Sequence, residues 1–216
     1  MVHTEEELGK GSMDKYKALQ IIHKILKPKQ YLEIGVQKGK SLALANCISV
    51  GVDPSPRISF ESNATIFKMK SDDFFKENKF QPDLAFIDGM HLFENVLMDF
   101  INTEKNSHKD TIILIDDIFP AHPAQALRER RTKKWCGDVW KIIFSLINYR
   151  PDLDLHFLDV HPTGMLLIKN LNPSNTYVFN DYCVDNICND IPPDHVICRD
   201  GVSILSEDVL ESILNA

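Results

Sequence analysis

Tyr31-Leu32-Glu33-Ile34-Gly35-Val36-Gln37-Lys38-Gly39-Lys40-Ser41 is the stretch on which the fold turns. A short apolar run passes into a glycine-bounded loop, as a buried strand does when it enters its crossover in a parallel sheet. Upstream, Leu19, Ile22, Ile25 and Leu26 recur at helical spacing and stop before Pro28, because the residue preceding a proline avoids helical torsions. Downstream, residues 41–47 read as a small-residue helix, 48–52 as a second strand closed by Asp53-Pro54, and 64–69 as a third. Residues 72–78 read as a short helix, 84–87 as a fourth strand, 92–106 as a helix and 111–115 as a fifth strand. This alternation predicts an α/β, Rossmann-like doubly wound sheet, mostly parallel and covered on both faces.

The pattern then changes. Residues 119–134 hold two prolines and the basic cluster Arg128, Arg130, Arg131, Lys133 and Lys134, and predict a long irregular or partly helical excursion over the strand ends. Residues 138–149 read as a helix, and 153–160 and 164–169 as two strands. The link between them is too short for a parallel crossover, so they form a hairpin and the last strand is antiparallel. Beyond Asn170 the composition shifts to Asn, Asp, Pro and Cys, with a final helix from about Glu207 capped by Ser206. The expected organisation is a flexible N-terminus (1–13), one domain (14–170) and a C-terminal appendage (171–216).

Composition narrows the function classes. With 44% hydrophobic and 25% charged residues over 216 positions, the chain is a globular domain, not disordered, collagenous or a coiled coil. Lys+Arg 24 against Asp+Glu 31 gives −7, which argues against a nucleic-acid partner. No stretch approaches the ~20 apolar residues that span a bilayer, so no membrane partner is expected. The opening MVHTEEELGKGS is acidic and reads as neither a secretory signal nor a transit peptide. Five cysteines do not form a disulfide framework and suit a reducing, cytoplasmic setting. Oligomer formation is left open.

In an open parallel sheet, ligands bind beyond the carboxyl ends of the strands. Three readings compete for the loop after the first. A phosphate-cradling Walker loop needs four residues between its glycines, and only three separate Gly35 from Gly39. The dinucleotide fingerprint needs glycine where Gln37 stands. The third, Glu33-x-Gly35-x-x-x-Gly39, suits a flat adenosyl group, the acid balancing a cationic one. A plain strand-to-helix turn is the alternative. Asp53 ends the second strand where a carboxylate can accept ribose hydroxyls, or simply make a turn. Ser71 and Asp72 follow the third strand as adenine contacts, or as a helix cap.

The fourth strand ends in Asp88-Gly89-Met90-His91 and the fifth in Asp116-Asp117. As neighbouring strands about 4.8 Å apart, they bring these acids within reach of one ion. Three carboxylates repel unless neutralised, and a hard divalent cation (magnesium, or else manganese or calcium) does so with oxygen ligands. Otherwise Asp88 caps the next helix and the other two are solvated loop acids.

Together these residues resemble a class I S-adenosylmethionine-dependent methyltransferase over residues 15–169. The run Ile87-Asp88-Gly89-Met90-His91 with Ile115-Asp116-Asp117 resembles the magnesium-dependent small-molecule O-methyltransferases, including the macrolide-sugar enzymes. The resemblance implies seven strands, the last antiparallel. It further implies magnesium on Asp88, Asp116 and Asp117, His91 as catalytic base, and cofactor contacts at Glu33, Gly35, Gly39, Asp53, Ser71, Asp72 and Asp88. Catechol-type enzymes have asparagine where Asp117 stands. The acceptor would be a hydroxyl of a small molecule. A metal-independent methyltransferase using His91 alone, and a non-catalytic adenosyl- or nucleotide-binding module, are the competing functions.

Other features read less sharply. Cys183, Cys188, His195 and Cys198 offer four zinc-type ligands at a spacing that matches no compact knuckle. The basic cluster is an anion site or a solvated face, Trp135 and Trp140 line a pocket or pack, and His122 is a candidate substrate contact.

Overall fold

The computed structural model describes residues 5–58, 64–77, 79–178, 180 and 191–216. Seven strands form one sheet: β1 (Gln30–Ile34), β2 (Ile48–Val52), β3 (Thr65–Phe67), β4 (Leu84–Ile87), β5 (Ile112–Asp116), β6 (Asp154–Leu158) and β7 (Met165–Lys169). Their order is β3-β2-β1-β4-β5-β7-β6. All pairings are parallel except those of β7, which is antiparallel to both β5 and β6, as the short connection requires.

Strand alternation splits the core in two. Leu32, Ile34, Ala85, Ile87, Ile113 and Ile115 pack under α2 (Ser71–Glu77), α3 (Phe93–Lys105) and α4 (Lys141–Tyr149). Tyr31, Phe86, Ile112 and Leu114 face α1 (Lys15–Leu26), whose Leu19 and Ile22 are fully buried, with Leu210 of α6 (Glu207–Asn215). The helix predicted before Pro28 is α1, and Ser206 caps α6 by accepting a hydrogen bond from Val209 N. The described part of the tail is held by this packing and by Arg199, at the end of α5 (Asp194–Cys198). Its buried guanidinium donates to Asp159 and to the Pro162 carbonyl. Residues 5–13, within the segment expected to be flexible, run along the body. Ser12 N donates to Asp159, and Gln125 Nε2 donates to the carbonyls of Glu6 and Leu8.

Three differences from the expected boundaries bear on the site. The helix expected over 41–47 is only a 3-10 turn, Leu42–Leu44, because the chain leaves the Gly39 turn and must enter β2 at Ile48. Helix α4 starts at Lys141, not at 138. The Asp138 carboxylate is spent on Phe93 N, the uncapped start of α3, and on Arg128 and Lys141. Strand β5 runs one residue further, to Asp116, which decides where that side chain points. No helix among the described residues is long and apolar enough to cross a membrane.

Under α1, the His23 ring packs edge-on against Tyr31 at 4.7 Å, and its Nε2 has no partner. Burial lowers its pKa to about 4, below the unfolded value of 6.5. Stability supplied by the neutral ring is therefore complete above pH 6.5 and lost as pH falls through that window toward 4. Thermal midpoints measured across this range should fall less steeply for His23→Leu than for the native chain.

Candidate active site

Strand order reverses between β1 and β4, so the crevice beyond their carboxyl ends is the topological switch point. The glycine loop and the Asp88 loop meet there. Asp88 N donates to Ile34 O, and a Cβ on Gly35 (φ +90°) would lie 1.9 Å from the Asp88 carbonyl oxygen. Only glycine permits that approach. Gly35→Ala should cost about 2–5 kcal/mol, read by chemical unfolding.

The other expected cofactor residues are disposed differently. Glu33 is fully buried beneath α1, with one oxygen taken by Ser41 Oγ at 2.7 Å and the other by Tyr31 OH at 2.8 Å. Burial lifts its pKa to about 8 against those two donors. Its observed partners thus brace the loop from below. Asp53 accepts from Gln37 N at 2.8 Å and Ser55 N at 2.7 Å, so its carboxylate ties the loop after β2 to the glycine loop. Gly39 (φ +72°) closes the turn on Val36 O. Ser71 donates to the buried Asp99, raised by burial to about 7, while Asp72 is exposed in the first turn of α2.

At the ends of β4 and β5 the acids do converge, but in two groups. Asp116, the last residue of β5, keeps strand alternation and points with Leu114 toward the α1 face. There Lys15 Nζ binds its Oδ2 at 2.6 Å and Asp88 Oδ2 at 2.9 Å, while Asp116 Oδ1 is buried without a partner. Asp117 leaves the strand in a left-handed conformation (φ +64°) and points to the other side. Its Oδ2 lies 3.1 Å from His91 Nδ1, and Thr163 and Cys136 also hydrogen-bond to it. Asp88, His91 and Asp117 each offer a ligand atom, all within 4.8 Å of one another. Of the three acids expected to share an ion, Asp88 and Asp117 lie together with His91 between them, while Asp116 turns to Lys15.

His91 is fixed on three sides. Nδ1 is 2.7 Å from the Trp135 carbonyl, Nε2 is 3.6 Å from Asp88 Oδ1, and the ring stacks on Trp135 at 5.1 Å and 12°. Burial pulls its pKa down, but Asp117 and Asp88 overcome this and raise it to about 10. Burial likewise pushes Asp88 up, while Lys15 and His91 hold it well below the usual carboxylate range. Asp116 goes the other way, its burial outweighing Lys15.

Lys15 was invisible to sequence reasoning. It stands just after Asp14, the N-cap of α1, and looks like a first-turn surface lysine. The basic cluster is largely used internally. Arg128 joins Glu94 to Asp138, Arg130 binds the carbonyls of Thr132 and Lys133, and Lys134 binds Glu7 O. His122 accepts from Ala124 N to cap the 3-10 turn Pro123–Gln125, and Trp140 is buried against Phe144. Cys183 and Cys188 lie outside the described residues. His195 packs edge-on against Phe144, and Cys198 is exposed.

Residues 32–118 match the family model described as a methyltransferase domain. Among solved structures, the SAH-bound methyltransferase PaMTH1 of Podospora anserina is similar (TM-score 0.55, 16% identity, 72% of this chain and 78% of that one). So is an O-methyltransferase from Bacillus cereus in complex with SAH (0.53, 16%, 71% and 79%). A third is the O-methyltransferase TomG from Streptomyces achromogenes, involved in Tomaymycin synthesis and solved with SAM (0.55, 14%, 73% and 80%). At these identities the likeness establishes the fold. No curated protein matches the sequence. Strand order and the switch-point loop are those of the fold these methyltransferases share, and the stretch from β1 to just past β5 carries the match to the methyltransferase-domain model.

Proposed function

We propose that this protein transfers a methyl group from S-adenosylmethionine to a hydroxyl oxygen of a small molecule, a sugar or other natural product, with a divalent cation at the acidic cluster. The observation that carries this reading is the convergence of Asp88, His91 and Asp117 within 4.8 Å, beside the Gly35 loop. The residues present fit both groups. Gly35 lets the glycine loop close on the Asp88 backbone at the switch point, and the carboxylates of Asp88 and Asp117 offer the hard oxygen donors that magnesium, manganese or calcium takes. Asp88 and Asp117 would hold the ion, with Asp116 beside them.

When bound, the cofactor supplies an electrophilic methyl on a sulfonium, and the ion polarises the acceptor hydroxyl. His91 takes the hydroxyl proton at Nε2, because Nδ1 is occupied by Trp135 O and Asp117. With its carboxylates shared by a stronger cation, the imidazole no longer holds its proton so tightly, and Nε2 becomes a base. Trp135 fixes the ring plane and screens one face from water. Negative charge developing on the oxygen cancels the sulfonium charge, which a partly buried site favours.

The ammonium of Lys15 on two of the acids favours one second reading, a methyltransferase that needs no divalent ion and uses His91 alone. Chelation separates the two. Dialysis against EDTA should reduce product formation at least about tenfold, with recovery on adding magnesium; unchanged turnover selects the metal-free reading. The proposed catalytic unit is 14–170, with 171–216 as an appendage. Free thiols at Cys47, Cys136 and Cys198 support a cytoplasmic location.

A further inference from the structure

Asp88 and Asp116 come from neighbouring strands, yet their counter-charge comes from the far end of the domain, at the first residue of α1. Asp14 caps that helix by accepting from Tyr16 N and Lys17 N, which sets the direction in which Lys15 leaves the backbone. The Lys15 side chain is 19% exposed, and its Nζ lies 5.9 Å from the centre of the Phe86 ring while binding both acids. Two carboxylate oxygens, one from each acid, at 2.6 and 2.9 Å take two of the three N–H donors of this ammonium. The remaining oxygen of Asp116 is buried and has no hydrogen-bond partner.

We propose that Lys15, bound to Asp88 and Asp116, is the resident counter-cation of the acidic cluster and competes with the divalent ion for Asp88, so that this lysine sets the affinity of the site for metal. The inference rests on the divalent-cation reading above. An ammonium and a divalent ion cannot share the same carboxylates without strong repulsion, so each raises the cost of the other. Without Lys15, three carboxylates are left with the imidazole of His91 alone. That destabilises the ion-free protein and favours uptake of a cation. With Lys15, the cluster holds together ion-free and releases its metal readily.

The test titrates the full chain with manganese and reads the free hexaaqua ion by electron paramagnetic resonance, for the native protein, Lys15→Met and Lys15→Arg. Lys15→Met should bind manganese about tenfold or more tightly than the native chain, and Lys15→Arg should stay near native. Its thermal midpoint should be lower without the ion and rise more on saturation. Equal or weaker binding by Lys15→Met overturns the role of Lys15 while leaving the cation reading intact. Absence of manganese uptake by every form, with S-adenosylmethionine still bound, overturns the cation reading and this inference with it. If Lys15→Met does not fold, Lys15→Gln, which keeps an amide donor without the charge, is held to the same outcomes.

Discussion

Replacement of His91 by alanine should lower the methyl-transfer rate by about 10²–10⁴-fold while leaving S-adenosylmethionine affinity within a few-fold of native. The separation of the two effects follows from geometry. The imidazole touches Asp117, Asp88 and Trp135 but none of the glycine-loop residues that border the crevice, so its loss removes a proton acceptor and not a wall of the cofactor site. Single-turnover rates and calorimetric titration check the two halves independently. A base acting at Nε2 also predicts that His91→Asn recovers little, because an amide cannot take up the proton. Turnover unchanged in His91→Ala would remove the base from the mechanism and leave metal polarisation alone. No turnover in the native chain with any acceptor would favour a binding module.

The largest effect on stability should come from a site with no part in chemistry. Glu104 on α3 and Arg150 after α4 are both about 2% exposed and form a two-point ion pair at 2.6 and 2.7 Å. Glu104 also accepts from Asn172 N at 3.0 Å, so one carboxylate fastens α3, the end of α4 and the chain leaving β7. Glu104→Ala takes the two-point carboxylate partner from a buried guanidinium and should cost about 3–5 kcal/mol in urea unfolding. Replacing the pair together by Glu104→Leu and Arg150→Met should recover most of that loss, because the penalty lies in the unpaired charge. Methyl transfer at temperatures well below the midpoint should be unaffected in either variant.

The sheet was legible because burial on both faces leaves a direct trace. Leu84–Ile87 and the run ending at Ile115 are apolar throughout, and the few residues between β6 and β7 exclude a parallel crossover. Position relative to the strand ends was legible too, which is why Gly35, Asp88, His91 and Asp117 fall in one crevice. The division of the acids was not. Whether Asp116 belongs to the strand or to the loop hinges on one residue of β5, and a single step moves a side chain to the opposite face. Lys15 lies 73 positions from Asp88 and 101 from Asp116, and nothing near it in the chain signals a buried charge. The same holds for Arg128, whose partners Glu94 and Asp138 lie on either side of it in sequence and meet only in the folded chain. Pairings of charge across a fold are set by topology, whereas strands and turns are written locally.

The most direct measurement follows a deuterated methyl group from S-adenosylmethionine into a panel of hydroxyl-bearing metabolites, with magnesium present, by mass spectrometry. The expected product bears the label on oxygen, forms with stoichiometric S-adenosylhomocysteine and is lost in His91→Ala. Cofactor that binds and is recovered intact with every acceptor, or label found only on nitrogen or carbon, would contradict it.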